Sequence, residues 1–232
     1  MNSNKLHLVV ALLAGLCLRS GTAWGQTGTI AGSVVLPPSQ TKERSFRGSL
    51  YRNRLAPNRR GQEKVATPRS RYDDVIIGAH ALDFDPPLQA ASAPARMDQK
   101  MARFWPRVLP ITVGATVEFV NQDRFYHNVF SLSRPNDFDI GRKPTGVVAG
   151  QAFNDTGRVE VFCDIHPQMN ATVLVLGTPW FTRPDSTGSF RLEALPEGRY
   201  RLHAYHPEHD DLERQIEVGG GVPMTQTFVF GR

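Results

Sequence analysis

Three side chains that bind soft or borderline metal ions lie close together in VFCDIHPQMNATVLV, residues 161–175. They are the thiol of Cys163, the imidazole of His166 and the thioether of Met169. If this segment forms a hairpin, Cys163 ends the first strand, residues 164–168 form the loop, and Met169 begins the return strand. The three side chains can then converge on one point, where their donor atoms suit a transition-metal ion.

A further ligand has to come from elsewhere, and DRFYHNVFSL, residues 123–132, offers His127 at the start of another predicted strand. Cys-x-x-His alone is a weak signal for a metal site, and the methionine three residues later strengthens it. A lone cysteine at the end of a strand is usually a buried small hydrophobe. The polar neighbours of Cys163 and the proline in its loop argue instead for an exposed cysteine that acts as a ligand.

The first 25 residues have the pattern of an export signal. A lysine precedes an apolar run at residues 8–18, and small residues up to Gly25 suit a cleavage site before Gln26. We therefore expect a periplasmic or secreted protein. No later segment approaches the roughly 20 apolar residues of a membrane span.

The cysteine count limits what the thiol can do. Cys17 leaves with the predicted signal, so that Cys163 is the only cysteine of the mature chain. No disulfide can then form within that chain. An unpaired thiol in an oxidising compartment has to be buried, reactive, paired with another chain or bound to a metal.

The formal net charge of +5 is concentrated in residues 42–71, which hold ten lysines or arginines against Glu43 and Glu63. Proline, glycine, serine and asparagine are interspersed there, so we expect a long surface loop. This basic stretch is either a solvated insertion or a docking arm for an acidic partner or an anionic surface. Nucleic acid is not an expected partner of an exported chain.

Almost every periodic segment alternates with period two and is bounded by glycine, proline, asparagine or aspartate. This pattern predicts an all-β protein built of sandwiches. Only residues 96–103 and 207–214 could form a helical turn. Residues 97–177 make up a compact candidate domain behind an alanine- and proline-rich linker at 88–96, whereas residues 178–232 would bury too little apolar surface alone.

A resemblance to a known family is carried by FWPRVLPITVGATVEFVNQDRFYHNVFSL and, after it, GRVEVFCDIHPQM. These segments resemble the cupredoxins, especially the amicyanin-like small blue copper proteins, whose ligand loop has the same Cys-x-x-His-x-x-Met spacing. They also resemble proteins labelled methylamine utilisation proteins, a label that does not establish a pathway. The resemblance covers about 80 residues and implies a cupredoxin Greek-key β-sandwich.

Carried over residue by residue, the resemblance implies one copper ion per chain. Its equatorial ligands would be His127, Cys163 and His166, and its weak axial ligand would be Met169. Two imidazoles, a thiolate and a long thioether bond suit a copper ion that cycles between Cu(I) and Cu(II). The resemblance further implies that Asn128 ties the two ligand loops together through hydrogen bonds near the thiolate.

Other types of site fit less well. A binuclear copper site needs two cysteines in this loop, and haem attachment needs Cys-x-x-Cys-His. A cysteine nucleophile would leave Met169 without a function, so we expect no catalytic residues and no enzyme. The remaining histidines of the mature chain are expected in a strand, for His80, or in a surface loop rather than a second metal site, for His203, His206 and His209.

The segments on either side resemble the carboxypeptidase regulatory-like, transthyretin-type sandwich. DSTGSFRLEALPEGRY, residues 185–200, contains that family's Asp-x-x-Gly-x-Phe and Leu-Pro-x-Gly-x-Tyr patterns, and GTIAGSVVL and DVIIGAHAL resemble its first two strands. We therefore expect residues 26–96 and 178–232 to form one sandwich with the cupredoxin segment inserted. The basic stretch would be a loop between the first two strands.

Together these features predict an extracytoplasmic one-electron carrier whose partner is a cytochrome or a dehydrogenase with acidic groups. The alternatives are a copper-binding protein for storage, sensing or delivery of the ion, and a binding scaffold with a vestigial site. A methionine ligand and a short ligand loop favour redox cycling, because delivery would call for mobile tracts rich in methionine or histidine.

Overall fold

The computed structural model describes residues 27–38, 70–88, 93–219, 221 and 223–231. Within these ranges the chain forms strands and no helix, which confirms the predicted all-β class. No described segment is therefore a helix long and apolar enough to cross a membrane. The predicted export signal, nearly all of the basic stretch 42–71 and part of the 88–96 linker lie outside the described residues.

The strands are mostly short, as the spacing of the turn residues predicts. In chain order they are β1 (Thr27–Val35), β2 (Ile76–Ala81), β3 (Ala95–Gln99), β4 (Phe104–Trp105), β5 (Val108–Thr112), β6 (Thr116–Asn121), β7 (Phe130–Ser131), β8 (Phe138–Asp139), β9 (Val148–Ala152), β10 (Gly157–Phe162), β11 (Asn170–Leu176), β12 (Phe181–Thr182), β13 (Ser189–Pro196), β14 (Gly198–Tyr205), β15 (Leu212–Val218) and β16 (Met224–Val229).

Two sheets built from β3 to β11 pack face to face and form the central sandwich. One sheet has the strand order β5-β11-β10-β7-β8 and the other the order β4-β3-β6-β9. Apolar side chains of both sheets share one buried core, among them Phe119 of β6, Val161 of β10 and Val173 of β11. Burying one such side chain stabilises a fold by about 1.5–3 kcal/mol. This core therefore fixes the positions at which β10 ends and β11 begins.

Two further sheets, which form the flanking sandwich, combine strands from before and after the central one. Their strand orders are β13-β1-β16 and β12-β2-β14-β15. Strand β1 runs antiparallel to β13 and parallel to β16. Ile30 of β1, Leu202 of β14 and Phe228 of β16 are completely buried in a shared core.

The two sandwiches meet at a small apolar cluster that contains Val108, Leu174 and Tyr205. The hydroxyl of Tyr205 donates a hydrogen bond to Oγ1 of Thr172 on β11 at 3.1 Å. The guanidinium of Arg158 lies 5.1 Å from the centre of the Tyr205 ring. A buried tyrosine whose hydroxyl is bonded can pack its ring without leaving a polar group unsatisfied.

The structure differs from the sequence-based expectation at several segments. Residues 96–103, expected as a possible helical turn, form most of β3 and the turn into β4, and β3 begins inside the predicted linker. The other candidate for a helical turn, 207–214, contains no helix and runs into β15. Strand β9 lacks a conspicuous apolar alternation, because it lies at the edge of its sheet and none of its residues is buried.

Candidate metal centre

His127 reaches the centre from a loop that follows β6. Its backbone N–H and carbonyl form two hydrogen bonds with Lys143, at 3.1 and 2.7 Å, which fix the chain at this point. The side chain is completely buried. A buried imidazole needs partners for its ring nitrogens, and the structure provides one for each side of the ring.

Cys163 directly follows β10, whose last residue pairs with Asn170 of β11. Its Sγ lies 3.9 Å from Nδ1 of His127 and 3.9 Å from Nδ1 of His166. Candidate ligand atoms of these three residues all lie within 4.8 Å of one another. Among the described residues, no other set of three histidines, cysteines or acidic residues is close enough to hold a metal ion.

The expected exposure of Cys163 is wrong, since only 4% of the residue is accessible to solvent. Val159 and Val161, which share its face of β10, lie in the same apolar core, and the His127 loop covers the sulfur from another side. The centre therefore lies at the end of the central core, with the half-buried His166 as its more exposed histidine.

Met169 is 1% exposed and belongs to the same buried cluster as Cys163. Its backbone N–H donates a hydrogen bond to the carbonyl of His166 at 2.9 Å, which closes the ligand loop just before β11. The thioether thus lies in the interior of the sandwich, at the end of the loop that carries Cys163 and His166.

The backbone of Asn128 links the loop of His127 to the thiol of Cys163. Its N–H donates a hydrogen bond to Sγ of Cys163 at 3.4 Å. Its side-chain oxygen accepts a hydrogen bond from the N–H of Val129 at 2.7 Å, and its carbonyl accepts one from Nε2 of Gln99 at 3.1 Å. These hydrogen bonds hold the loop of His127 against the sulfur.

Asp123 is a residue of the centre that the sequence analysis missed. Its carboxylate accepts a hydrogen bond from Nε2 of His127 at 2.8 Å, and its side chain is 10% exposed. Burial works against the ionised form, but hydrogen bonds from the Ala102 N–H, the His127 ring and the Met101 N–H outweigh it and lower the pKa of Asp123. The only available signal was an acidic residue four positions before a candidate ligand.

An ionised Asp123 determines which nitrogen of His127 can bind a metal. A carboxylate can only accept a hydrogen bond, so Nε2 of the neutral ring carries the proton. Nδ1, which faces the sulfur, then presents its lone pair. Two imidazole nitrogens and a sulfur around one point fit the trigonal donor set of a blue copper site, and the residues present therefore fit a copper ion.

Exposed aromatic and apolar residues adjoin His127 and His166 in the chain. The Phe125 ring lies 4.9 Å from the ring of His127 and 5.2 Å from that of His166, measured between centroids. Phe125, Tyr126, Ile165 and Pro167 are all exposed. A cluster of exposed apolar groups is typical of a surface that contacts another molecule.

The remaining described histidines do not take part in this centre. His80 lies in β2, as expected. His203 lies in β14 rather than in a loop, and its Nε2 is 2.9 Å from the carboxylate of Asp211. His206 follows β14 directly and is buried, so the expected surface loop is correct only for His209, whose ring packs 4.7 Å from that of His206.

No protein-family model matches this chain, and neither does any curated protein. Solved structures that match it include a copper-containing nitrite reductase from Thermus scotoductus SA-01, with 27% identity, 41% of this chain and 27% of that chain covered, and a TM-score of 0.35. A purple cupredoxin from Nitrosopumilus maritimus has 24% identity, covers 35% of this chain and 99% of its own, and gives a TM-score of 0.32.

A mutant of amicyanin in its Cu(I) form also matches, with 21% identity, 43% of this chain and 99% of that chain covered, and a TM-score of 0.35. The chain spans about a quarter of the length of the nitrite reductase. Similarity of this extent does not assign the chain to a family. The resemblance of the flanking segments to the regulatory-like family stays a prediction.

Proposed function

We propose that this chain is an exported type-1 copper protein that carries single electrons between redox partners. One copper ion would be held by His127, Cys163 and His166, with the thioether of Met169 as a weaker fourth ligand. The observation that carries the proposal is the convergence of one ring nitrogen from each of two histidines and one Sγ within 4.8 Å of one another at the buried end of the central sandwich.

The setting of these donors supports electron transfer rather than release of the ion. Both ligand loops are tied by backbone hydrogen bonds, at His127 to Lys143 and between Met169 and His166. Bound copper would exchange one electron between Cu(I) and Cu(II). Ligands that are already fixed need little rearrangement when the charge of the ion changes, which favours fast transfer.

The exposed edge supports His166 as the point where electrons enter and leave. This ring is half-buried and lies 5.2 Å from the exposed ring of Phe125, and its chain neighbours Ile165 and Pro167 are exposed and apolar. Arg124, next to Phe125, is exposed and adds positive charge near this surface. A cytochrome or dehydrogenase with acidic groups around its own apolar contact would fit it.

The arrangement of strands supports the further proposal that the copper domain is inserted into the flanking sandwich. Every strand from β3 to β11 pairs within the central sandwich, and strands β1, β2 and β12 to β16 pair with one another. The structure begins the first central strand at Ala95, so we place the boundary two residues before the expected start at 97.

The visible absorption spectrum of the purified chain with Cu(II) tests the proposed function. We expect one copper per chain and an intense thiolate-to-copper charge-transfer band in the wild type, and no such band in Cys163→Ser. The serine oxygen keeps a polar group at the same position but is not a soft ligand. A colourless Cu(II) complex, or the same spectrum in both proteins, would refute the proposal.

A further inference from the structure

The hairpin that joins β3 to β4 contains an unusual turn. The backbones of Lys100 and Arg103 exchange two hydrogen bonds, at 2.9 and 3.2 Å, around the central residues Met101 and Ala102. These two have φ angles of 55° and 52°. Positive φ at both central residues defines a type I′ turn, in which Asn-Gly is strongly favoured because side chains with a Cβ are strained there.

The carboxylate of Asp123 stabilises this turn from the neighbouring loop. Its two oxygens accept hydrogen bonds from the N–H groups of Met101, at 2.6 Å, and Ala102, at 2.9 Å. The N–H of Asp123 in turn donates to Oδ1 of Asn121 at 2.9 Å. The carboxylate is therefore held in place by the hairpin on one side and by its own loop on the other.

The third hydrogen bond of this carboxylate is the one from Nε2 of His127 at 2.8 Å. Because the other two bonds are to backbone groups, the carboxylate cannot turn away from the imidazole without breaking them. The same hairpin also reaches the following residue, since Nε2 of Gln99 donates to the carbonyl of Asn128. The β3–β4 hairpin thus braces the loop that presents His127.

We propose that Asp123 is a positioning residue, fixed by the type I′ turn at Met101 and Ala102, which orients His127 and sets its tautomer for the metal. This inference rests on the proposed copper site. A carboxylate that accepts the second ring N–H of a ligand histidine makes the other nitrogen a better donor. The more highly charged Cu(II) gains more from this than Cu(I), so Asp123 lowers the reduction potential.

Asp123→Asn tests the role while keeping the shape of the side chain. The amide group would point an N–H towards a donor, either at the turn or at Nε2 of His127. We expect Cu(II) affinity to fall about 10- to 100-fold. A tenfold loss confined to Cu(II) raises a one-electron reduction potential by about 59 mV.

Two further variants separate positioning from other effects. Met101→Asn with Ala102→Gly supplies the preferred type I′ residues, so that Asp123→Asn in this background keeps the turn even without the carboxylate.

Asp164→Asn is the control for charge. It removes one negative charge next to Cys163, on a side chain that pairs with Arg142. If Asp164→Asn shifts the potential as much as Asp123→Asn, the effect is one of charge alone and the inference is wrong.

Nitrogen NMR of the histidines in the metal-free protein gives a readout that does not depend on copper. We expect His127 to carry its proton on Nε2 in the wild type, and to lose this single tautomer in Asp123→Asn with the stabilised turn. An unchanged tautomer in that variant overturns the inference. If neither the copper-loaded wild type nor any of its copper-loaded variants shows the charge-transfer band, the proposed function is refuted. The tautomer measured in the metal-free protein is not affected by that outcome.

Discussion

Met169 combines a packing role with a proposed ligand role, and the two can be separated. Met169→Leu conserves volume and should lower the free energy of unfolding by less than about 1.5 kcal/mol. Met169→Ala leaves a cavity at a position that is 1% exposed and should cost about 2–5 kcal/mol. Urea unfolding of the metal-free variants measures both values.

The potential of the copper-loaded Met169→Leu protein reports on the thioether itself. Leucine provides no donor, and the remaining three ligands suit Cu(I) better than Cu(II), so we expect a higher reduction potential than in the wild type. A potential that voltammetry finds unchanged in this variant would make Met169 a core residue only.

The sequence could predict the candidate ligands much better than the residue that orients one of them. Cys163, His166 and Met169 lie in one tight loop, where chain connectivity alone brings the side chains together. His127 lies 36 positions before Cys163, so the sequence could offer it only as a histidine at the start of another predicted strand, and the family resemblance then gave it a ligand role. Asp123 owes its position to a turn some twenty residues earlier, and Met101 with Ala102 gives no signal for a type I′ turn.

At the scale of the strands, alternation of buried and exposed residues decides what can be predicted. In β14 the pattern is regular, because one face covers the core of the flanking sandwich and the other is largely exposed. Strand β3 begins in the predicted linker and continues through the predicted helical turn, because it is short and mostly polar and gives no strand pattern: only Met97 and Gln99 are buried. Its parallel pairing with β6 is a long-range contact that no local pattern reveals.

His80 shows how neighbouring strands control a titrating group. The residue lies on β2 opposite Arg201 of β14, and its ring is 6.4 Å from that of His203. Burial, then the charges of His203 and Arg201, lower the pKa of His80 from 6.5 to about 4, with Glu213 of β15 acting in the opposite direction. The folded protein therefore resists protonation of this ring.

The unfolded chain binds a proton on His80 near pH 6.5, whereas the folded chain does so only near pH 4. The contribution of the neutral His80 ring to the free energy of unfolding is fully present above pH 6.5 and is lost as the pH falls towards 4. Because the ring is partly exposed, solvent screens these interactions, and we expect the free energy of unfolding to fall by only roughly 1–2 kcal/mol. Urea unfolding from pH 7 to 4 should show this fall relative to His80→Gln, and parallel curves for the two proteins would contradict it.

At the scale of the whole molecule, the two sandwiches should differ in their ability to fold alone. Residues 95–177 contain every strand of the central sandwich and its core, and we expect this fragment to unfold cooperatively and to bind copper. Residues 178–232 lack β1 and β2, so their sheets cannot cover the shared core. A cooperative urea transition in the fragment 178–232 would show that this division is wrong.

The position of β1 between β13 and β16 has a consequence for the order of events during protein synthesis. Ser33 of β1 lies against Thr227 of β16, 194 positions later in the chain. A ribosome that has reached the end of β11 has already delivered every strand of the central sandwich, while both partners of β1 are still unmade. The central sandwich of the nascent chain can therefore fold first. The apolar side chains of Ile30 and Val34 in β1 are buried only after the last strand has been translated.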